Sequence, residues 1–132
     1  MKFKDNDHKL NYEATINMMK STDRYHQSVA YLLSLDNVCF EHINDIFDFV
    51  DNTIIKEALY QSWQTLKSRR TTRLAFNLWD GYCSEGETYI EDDGFEGELP
   101  SRYYAPSAIF CCSYAPFYWE AIKLRFPEYA GE

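Results

Sequence analysis

The side chains with the most obvious chemical potential in this chain are carboxylates, and they crowd into one stretch. Between Asp80 and Glu98 lie eight of the 21 acidic residues (Asp80, Glu85, Glu87, Glu91, Asp92, Asp93, Glu96 and Glu98) and none of the 13 lysines and arginines. The rest of the 132-residue chain is therefore neutral, and the net charge of −8 belongs to this segment. Charges packed this way repel one another and resist burial, yet Tyr82, Tyr89, Ile90, Phe95 and Leu99 are threaded among them. Carboxylates at irregular spacing can occupy the phosphate positions of a basic nucleic-acid groove and steer association at long range. Tyr89, Phe95, Tyr103 and Tyr104 would supply the desolvated anchors that charge alone does not. The expected partner-binding set is thus Glu85, Glu87, Tyr89, Glu91, Asp92, Asp93, Phe95, Glu96, Glu98, Tyr103 and Tyr104. The bland alternative is a solvated insertion that only aids solubility.

A second cluster is cationic. Arg69, Arg70 and Arg73 crowd the start of a predicted helix, where the positive end of the dipole disfavours each by about 0.3–1 kcal/mol. Either that helix continues the preceding one or anions sit opposite. Asp45, Asp48, Asp51 and the acidic stretch are internal candidates, and an external anionic ligand is the remaining one. As a candidate anion site the three arginines, with Asp45 or Asp48 as base, are the only arrangement here that suggests an enzyme.

Other chemistry is weaker. His42 and Asp45 share a helix turn, but a metal site needs further ligands and no H-E-x-x-H occurs. The run Glu91–Glu98 misses the register of a calcium loop. Cys39, Cys83, Cys111 and Cys112 form no C-x-x-C pair, which suits neither a disulfide framework nor zinc, so reduced and mostly buried thiols are expected. Cys111 and Cys112 lie in an apolar run that reads as core, an unsuitable place for a nucleophile. Phosphate loops, nucleophile elbows and dinucleotide fingerprints are not found. No catalytic residue, metal ligand or cofactor is assigned, and a non-enzymatic protein is expected.

The elements that must position these groups read as helices. Glycine is absent before Gly81 and proline before Pro100. Capping residues predict helices from Asp5 or Asn6 to about Lys20, and from Asp23 to about Leu35. A third is predicted over Phe40–Val50, with Ile43, Ile46, Phe47 and Val50 buried. A fourth follows Thr53, where Ile55, Leu59, Trp63 and Leu66 keep helical spacing. A fifth runs from about Ser68 to Tyr82, and its separation from the fourth is open because no breaker lies between Thr65 and Arg70. Residues 84–104 read as an acidic, glycine-punctuated loop, with room for a short hairpin at Asp93-Gly94. A short apolar element over Ala108–Tyr114 and a last helix, Phe117–Phe126, opened by Pro116 and closed by Pro127, complete the chain.

The expectation is an all-α fold: one compact domain over residues 1–132, six or seven helices and one acidic loop. Neither a secretory signal at the N-terminus nor an apolar run long enough to span a membrane is seen, so a cytoplasmic protein is expected. A pI of 4.8 argues against direct nucleic-acid binding.

Several blocks carry a family resemblance. Phe3-x4-His8, Tyr31-Leu32-Leu33-Ser34, Ile46-Phe47-Asp48-Phe49-x-Asp51-Asn52-x-Ile54, Leu74-Ala75-Phe76-Asn77-Leu78-Trp79 and Ala121-Ile122-Lys123-Leu124-Arg125-Phe126 are the matching segments. Together they resemble an uncharacterised domain-of-unknown-function family of Firmicutes and their phages and mobile elements. Ser84–Tyr114 departs from it by its length. The resemblance implies a helical fold and a mobile-element context, and transfers no activity or catalytic residue. With the acidic surface, it leads to the expectation of a protein-binding module, in its sharpest form an anti-CRISPR-like inhibitor docked in the basic groove of a host defence nuclease. The alternatives are a bacterial accessory protein that homodimerises through exposed aromatics, and the arginine-site enzyme.

Overall fold

The computed structural model describes residues 1–131. Its centre is α2 (Arg24–Leu35), along which Val29, Ala30, Tyr31, Leu32, Leu33 and Leu35 are all fully buried. A helix apolar on every side has to be surrounded. The neighbours that enclose it are α1 (Asn6–Met18), α5 (Leu66–Asp80) and α7 (Ala115–Arg125). Short helices α3 (Asn37–Glu41), α4 (Ile43–Ile46) and α6 (Pro106–Ile109) turn the chain between them.

Local chemistry fixes these boundaries. The side chains of Asp5, Asp23 and Asp36 accept the backbone N–H groups of His8, His26 and Cys39, so each closes off the first turn of a helix. Thr65 and Ser68 bond each other's backbone N–H reciprocally and open α5. Gly81 ends it in the left-handed conformation at φ +81°, its N–H bonded to the Asn77 carbonyl.

The expectation of an all-α fold is overturned: two antiparallel two-stranded sheets accompany the helices, in a mixed fold that remains mostly helical. In the first sheet, β1 (Phe47–Asp48) pairs with β2 (Thr53–Ile54) where helix was predicted on both sides. Asp48 accepts the N–H groups of Val50 and Asp51, and Asn52 adopts φ +59°, which Asn tolerates better than most residues. This turn draws Ile54 into the core opposite Phe47. The predicted fourth helix then shrinks to a 3-10 turn over Lys56–Tyr60. Leu59 is buried as its spacing suggested, but Leu66 is 79% exposed. Gln64 stops the segment by donating to the Ala58 carbonyl and accepting from the Ser68 hydroxyl.

The second sheet is the acidic segment. β3 (Ser84–Ile90) pairs with β4 (Glu96–Pro100), and Thr88, Tyr89 and Ile90 face Glu98, Gly97 and Glu96 across the ladder. β-branched and aromatic residues suit a pleated strand. The turn is set by Asp93, which accepts the Phe95 N–H, and by Gly94 at φ +87°. Mutual repulsion of carboxylates did not prevent pairing, because the ladder satisfies the backbone while the side chains stay in water.

Candidate functional site

Four contacts anchor the base of the β3–β4 hairpin to the helical body. Glu85 pairs with Arg73 of α5, both side chains being mostly buried at 17% and 15% exposure. The Tyr104 hydroxyl donates to the Ser84 carbonyl at 3.1 Å, and the Ser101 N–H donates to the Cys83 carbonyl at 2.7 Å. Tyr60 lies against Gly86, where an added Cβ would come within 2.6 Å of its hydroxyl oxygen. Beyond this base both faces are open to water, apart from half-exposed Gly97.

Partners across a ladder point the same way and neighbours along a strand alternate. Thr88, Ile90, Glu96 and Glu98 therefore share one face, with Ile90 74% exposed. The other carries Tyr89, whose ring covers Gly97, with Glu91, Phe95 and Leu99 continuing it. Asp92 and Asp93 stand at the turn and Glu87 on the strand, all exposed. The segment's residues are thus brought together on one hairpin but divided between two surfaces. Three are engaged at the hairpin's base or lie off it. Glu85 is engaged by Arg73. Tyr104 turns inward beside Tyr82, and its hydroxyl pKa is raised by burial first and then by Glu85. Tyr103 sits at the body, its ring 4.7 Å from the Arg73 guanidinium carbon.

The three arginines do converge. Together with Leu59, Tyr60, Leu66, Glu85, Tyr103, Ala108 and Cys111 they line an open groove of about 720 Å³. Each is held through Nε: Arg69 donates to the Leu59 carbonyl at 3.0 Å, Arg70 to the Ala108 carbonyl at 2.9 Å, and Arg73 to Glu85. Neither Asp45 nor Asp48 takes part in the groove. The Tyr60 hydroxyl is pushed up to about 12, by desolvation first and then by Tyr82, Glu85 and Glu98. Tyr60, Leu66, Ala108 and Cys111 were not singled out in the sequence, and no spacing signal links them to the arginines. Cys111 is exposed at the groove, against the expectation that it lay in the core. Only Cys39 is fully buried, and burial drives its thiol pKa upward.

His42 stacks on Trp63 with ring centroids 4.1 Å apart and lies 3.5 Å from Asp45. Among the described residues no group of three or more His, Cys, Asp or Glu side chains is placed to hold a metal ion. Nor is any of their helices long and apolar enough to cross a membrane.

Fold and site together define a small, mostly helical protein that carries a projecting acidic β-hairpin beside an arginine-lined groove. Over residues 1–132 the chain matches the family of unknown function DUF6075, and it belongs to that family. No curated protein and no solved structure matches it.

Proposed function

We propose that this protein is a non-enzymatic binding module whose acidic hairpin docks on a basic protein surface. The observation that carries the reading is a two-stranded hairpin built outside the core, with Ile90, Phe95 and seven carboxylates on or beside it. A lone hairpin is marginal in water. This one exposes 74% of Ile90 and 56% of Phe95 rather than burying them. Apolar side chains ringed by one sign of charge suit a partner of the opposite sign.

In its sharper form the reading is that of a mobile-element inhibitor occupying the nucleic-acid groove of a host defence nuclease in the cytoplasm. Its support is the sign and density of charge on the hairpin, together with the four free thiols, which suit a reducing compartment. A homodimeric accessory protein is the second reading. It is favoured by the apolar cleft of about 380 Å³ beside Trp119, Ile122, Phe126 and Tyr129, and light scattering across concentration separates the two.

The test is affinity capture from the native host with the intact chain, followed by titration of the captured protein. Glu91, Asp92, Glu96 and Glu98 are reversed to lysine, leaving Asp93 to hold the turn. Exposed ion pairs contribute about 0.2–1 kcal/mol each, so reversing four should weaken binding about tenfold or more. Binding should also weaken as salt shortens the screening length. In the sharper form, duplex DNA competes. A captured partner whose affinity is indifferent to the reversals ends the proposal.

A further inference from the structure

We propose that the groove lined by Arg69, Arg70 and Arg73 binds a phosphorylated small molecule. This site is separate from the exposed faces of the hairpin, and shares with its base Glu85 and the two residues that anchor it, Arg73 and Tyr60.

The charge within the groove runs against that of the molecule. The chain carries −8 overall, yet three guanidinium groups and a single carboxylate line this concavity. Glu85 neutralises Arg73. Among the described residues neither Arg69 nor Arg70 has a carboxylate within 4.0 Å, so two positive charges in the same groove are left uncompensated. Both are only partly exposed, and half-buried guanidinium groups without counter-charges are retained at a cost in desolvation and mutual repulsion. An anion in the groove removes both penalties.

Geometry supplies the second argument. A guanidinium has five N–H donors in a planar fork. Arg69 and Arg70 each spend Nε on a backbone carbonyl, of Leu59 and Ala108. Those bonds hold the guanidinium planes and leave the terminal nitrogens for a ligand, apart from Arg70 Nη2, which makes a long contact to Cys111 Sγ. A fixed fork matches the oxygens of phosphate or carboxylate. Two unpaired positive charges favour phosphate, since a monoester carries about −1.5 to −2 at neutral pH with three acceptor oxygens. At about 720 Å³ the groove exceeds the needs of a bare ion, and it falls within the range of small-molecule sites. Leu66 and Ala108 offer apolar contact for the remainder of the ligand, and Tyr60 offers its hydroxyl.

Cys111 provides a built-in reporter. It is exposed, lines the groove, and its Sγ lies 3.8 Å from Arg70 Nη2. The experiment titrates the intact protein calorimetrically with inorganic phosphate, adenosine monophosphate and a sugar monophosphate, with unphosphorylated adenosine as control. Cys111 alkylation is followed by mass spectrometry at each ligand concentration. The expected result is saturable binding of the phosphate esters and none of adenosine. Binding should weaken at least tenfold in both Arg69→Gln and Arg70→Gln and persist in Lys9→Gln, which removes an exposed cation outside the groove. Cys111 alkylation should slow on saturation while that of Cys83 does not. Failure of all three phosphate probes to bind overturns the proposal, as does binding unchanged in the arginine variants. If those variants fail to fold, protection of Cys111 in the unaltered chain decides the matter: an unchanged alkylation rate under saturating ester refutes it.

Discussion

The Arg73–Glu85 pair is the charged strut between α5 and the hairpin, and removing it gives a calculable result. Loss of one partner from a fully buried pair costs about 3–5 kcal/mol. Loss from an exposed pair costs at most about 1 kcal/mol. With side chains 15% and 17% exposed, this pair lies between the limits. Arg73 also keeps the Tyr103 ring at 4.7 Å when Glu85 is neutralised. Glu85→Gln is therefore expected to cost about 2 kcal/mol. Because the pair joins the hairpin base to the body, most of that loss should appear as local opening rather than global unfolding. The Ser101 amide, bonded to the Cys83 carbonyl beside the strut, is the probe. A 2 kcal/mol fall in the opening free energy accelerates its hydrogen exchange about 30-fold. Amides of α2 at the centre should barely respond. A double-mutant cycle with Arg73→Gln should return a coupling of about 1–2 kcal/mol. Should Ser101 exchange change by less than about twofold, the hairpin is held by something other than this ion pair and the reasoning is wrong.

Three further outcomes are expected. Gly86→Ala should destabilise the hairpin by more than about 1 kcal/mol, because φ is +88° and the new Cβ would meet Tyr60; chemical denaturation and hairpin amide exchange measure it. Tyr118→Phe removes a buried hydroxyl bonded to Thr71 at 2.7 Å and should cost about 1–2 kcal/mol in urea unfolding without altering the hairpin. His8 gives an acid transition. Burial lowers its pKa, and its ring is held neutral because Nδ1 accepts the Lys4 N–H while Nε2 donates to the Tyr31 carbonyl. Its contribution is complete above the unfolded value near 6.5 and is lost as pH falls towards the lower folded value. His8→Gln should flatten stability against pH in that window, and an unchanged slope would count against the assigned tautomer.

The helical body was largely readable because capping residues are local signals. Asp5, Asp23 and Pro116 mark helix starts through bonds or torsions that involve only their neighbours. What failed was periodicity behind a misread cap, since Asp51-Asn52-Thr53 opens a strand where a helix was expected. Ile55, Leu59, Trp63 and Leu66 repeat at helical spacing, but Ile54 is recruited by Phe47 across a turn that depends on Asn52, and pairing with the core overrode propensity. The acidic segment was half legible. Its charge argued for a loop, but the hairpin allowed at Asp93-Gly94 is present, and Thr88, Tyr89 and Ile90 make its strand longer than expected. The three arginines were visible, but their shared groove was not. It depends on Tyr60, Ala108 and Cys111, which arrive from distant parts of the chain and have no common spacing.

Fixed only at its root, the hairpin behaves as a cantilever. Its longer strand spans seven residues, about 20 Å at the usual rise. A tilt of about 10° at the root would sweep its far end through roughly 3–4 Å. Such an arm can probe a recess while the rest of the molecule stays outside. A cleft deep enough to admit it would cover both flanks at once, whereas a flat plate would leave Glu96 and Glu98, or else Tyr89 and Phe95, facing solvent.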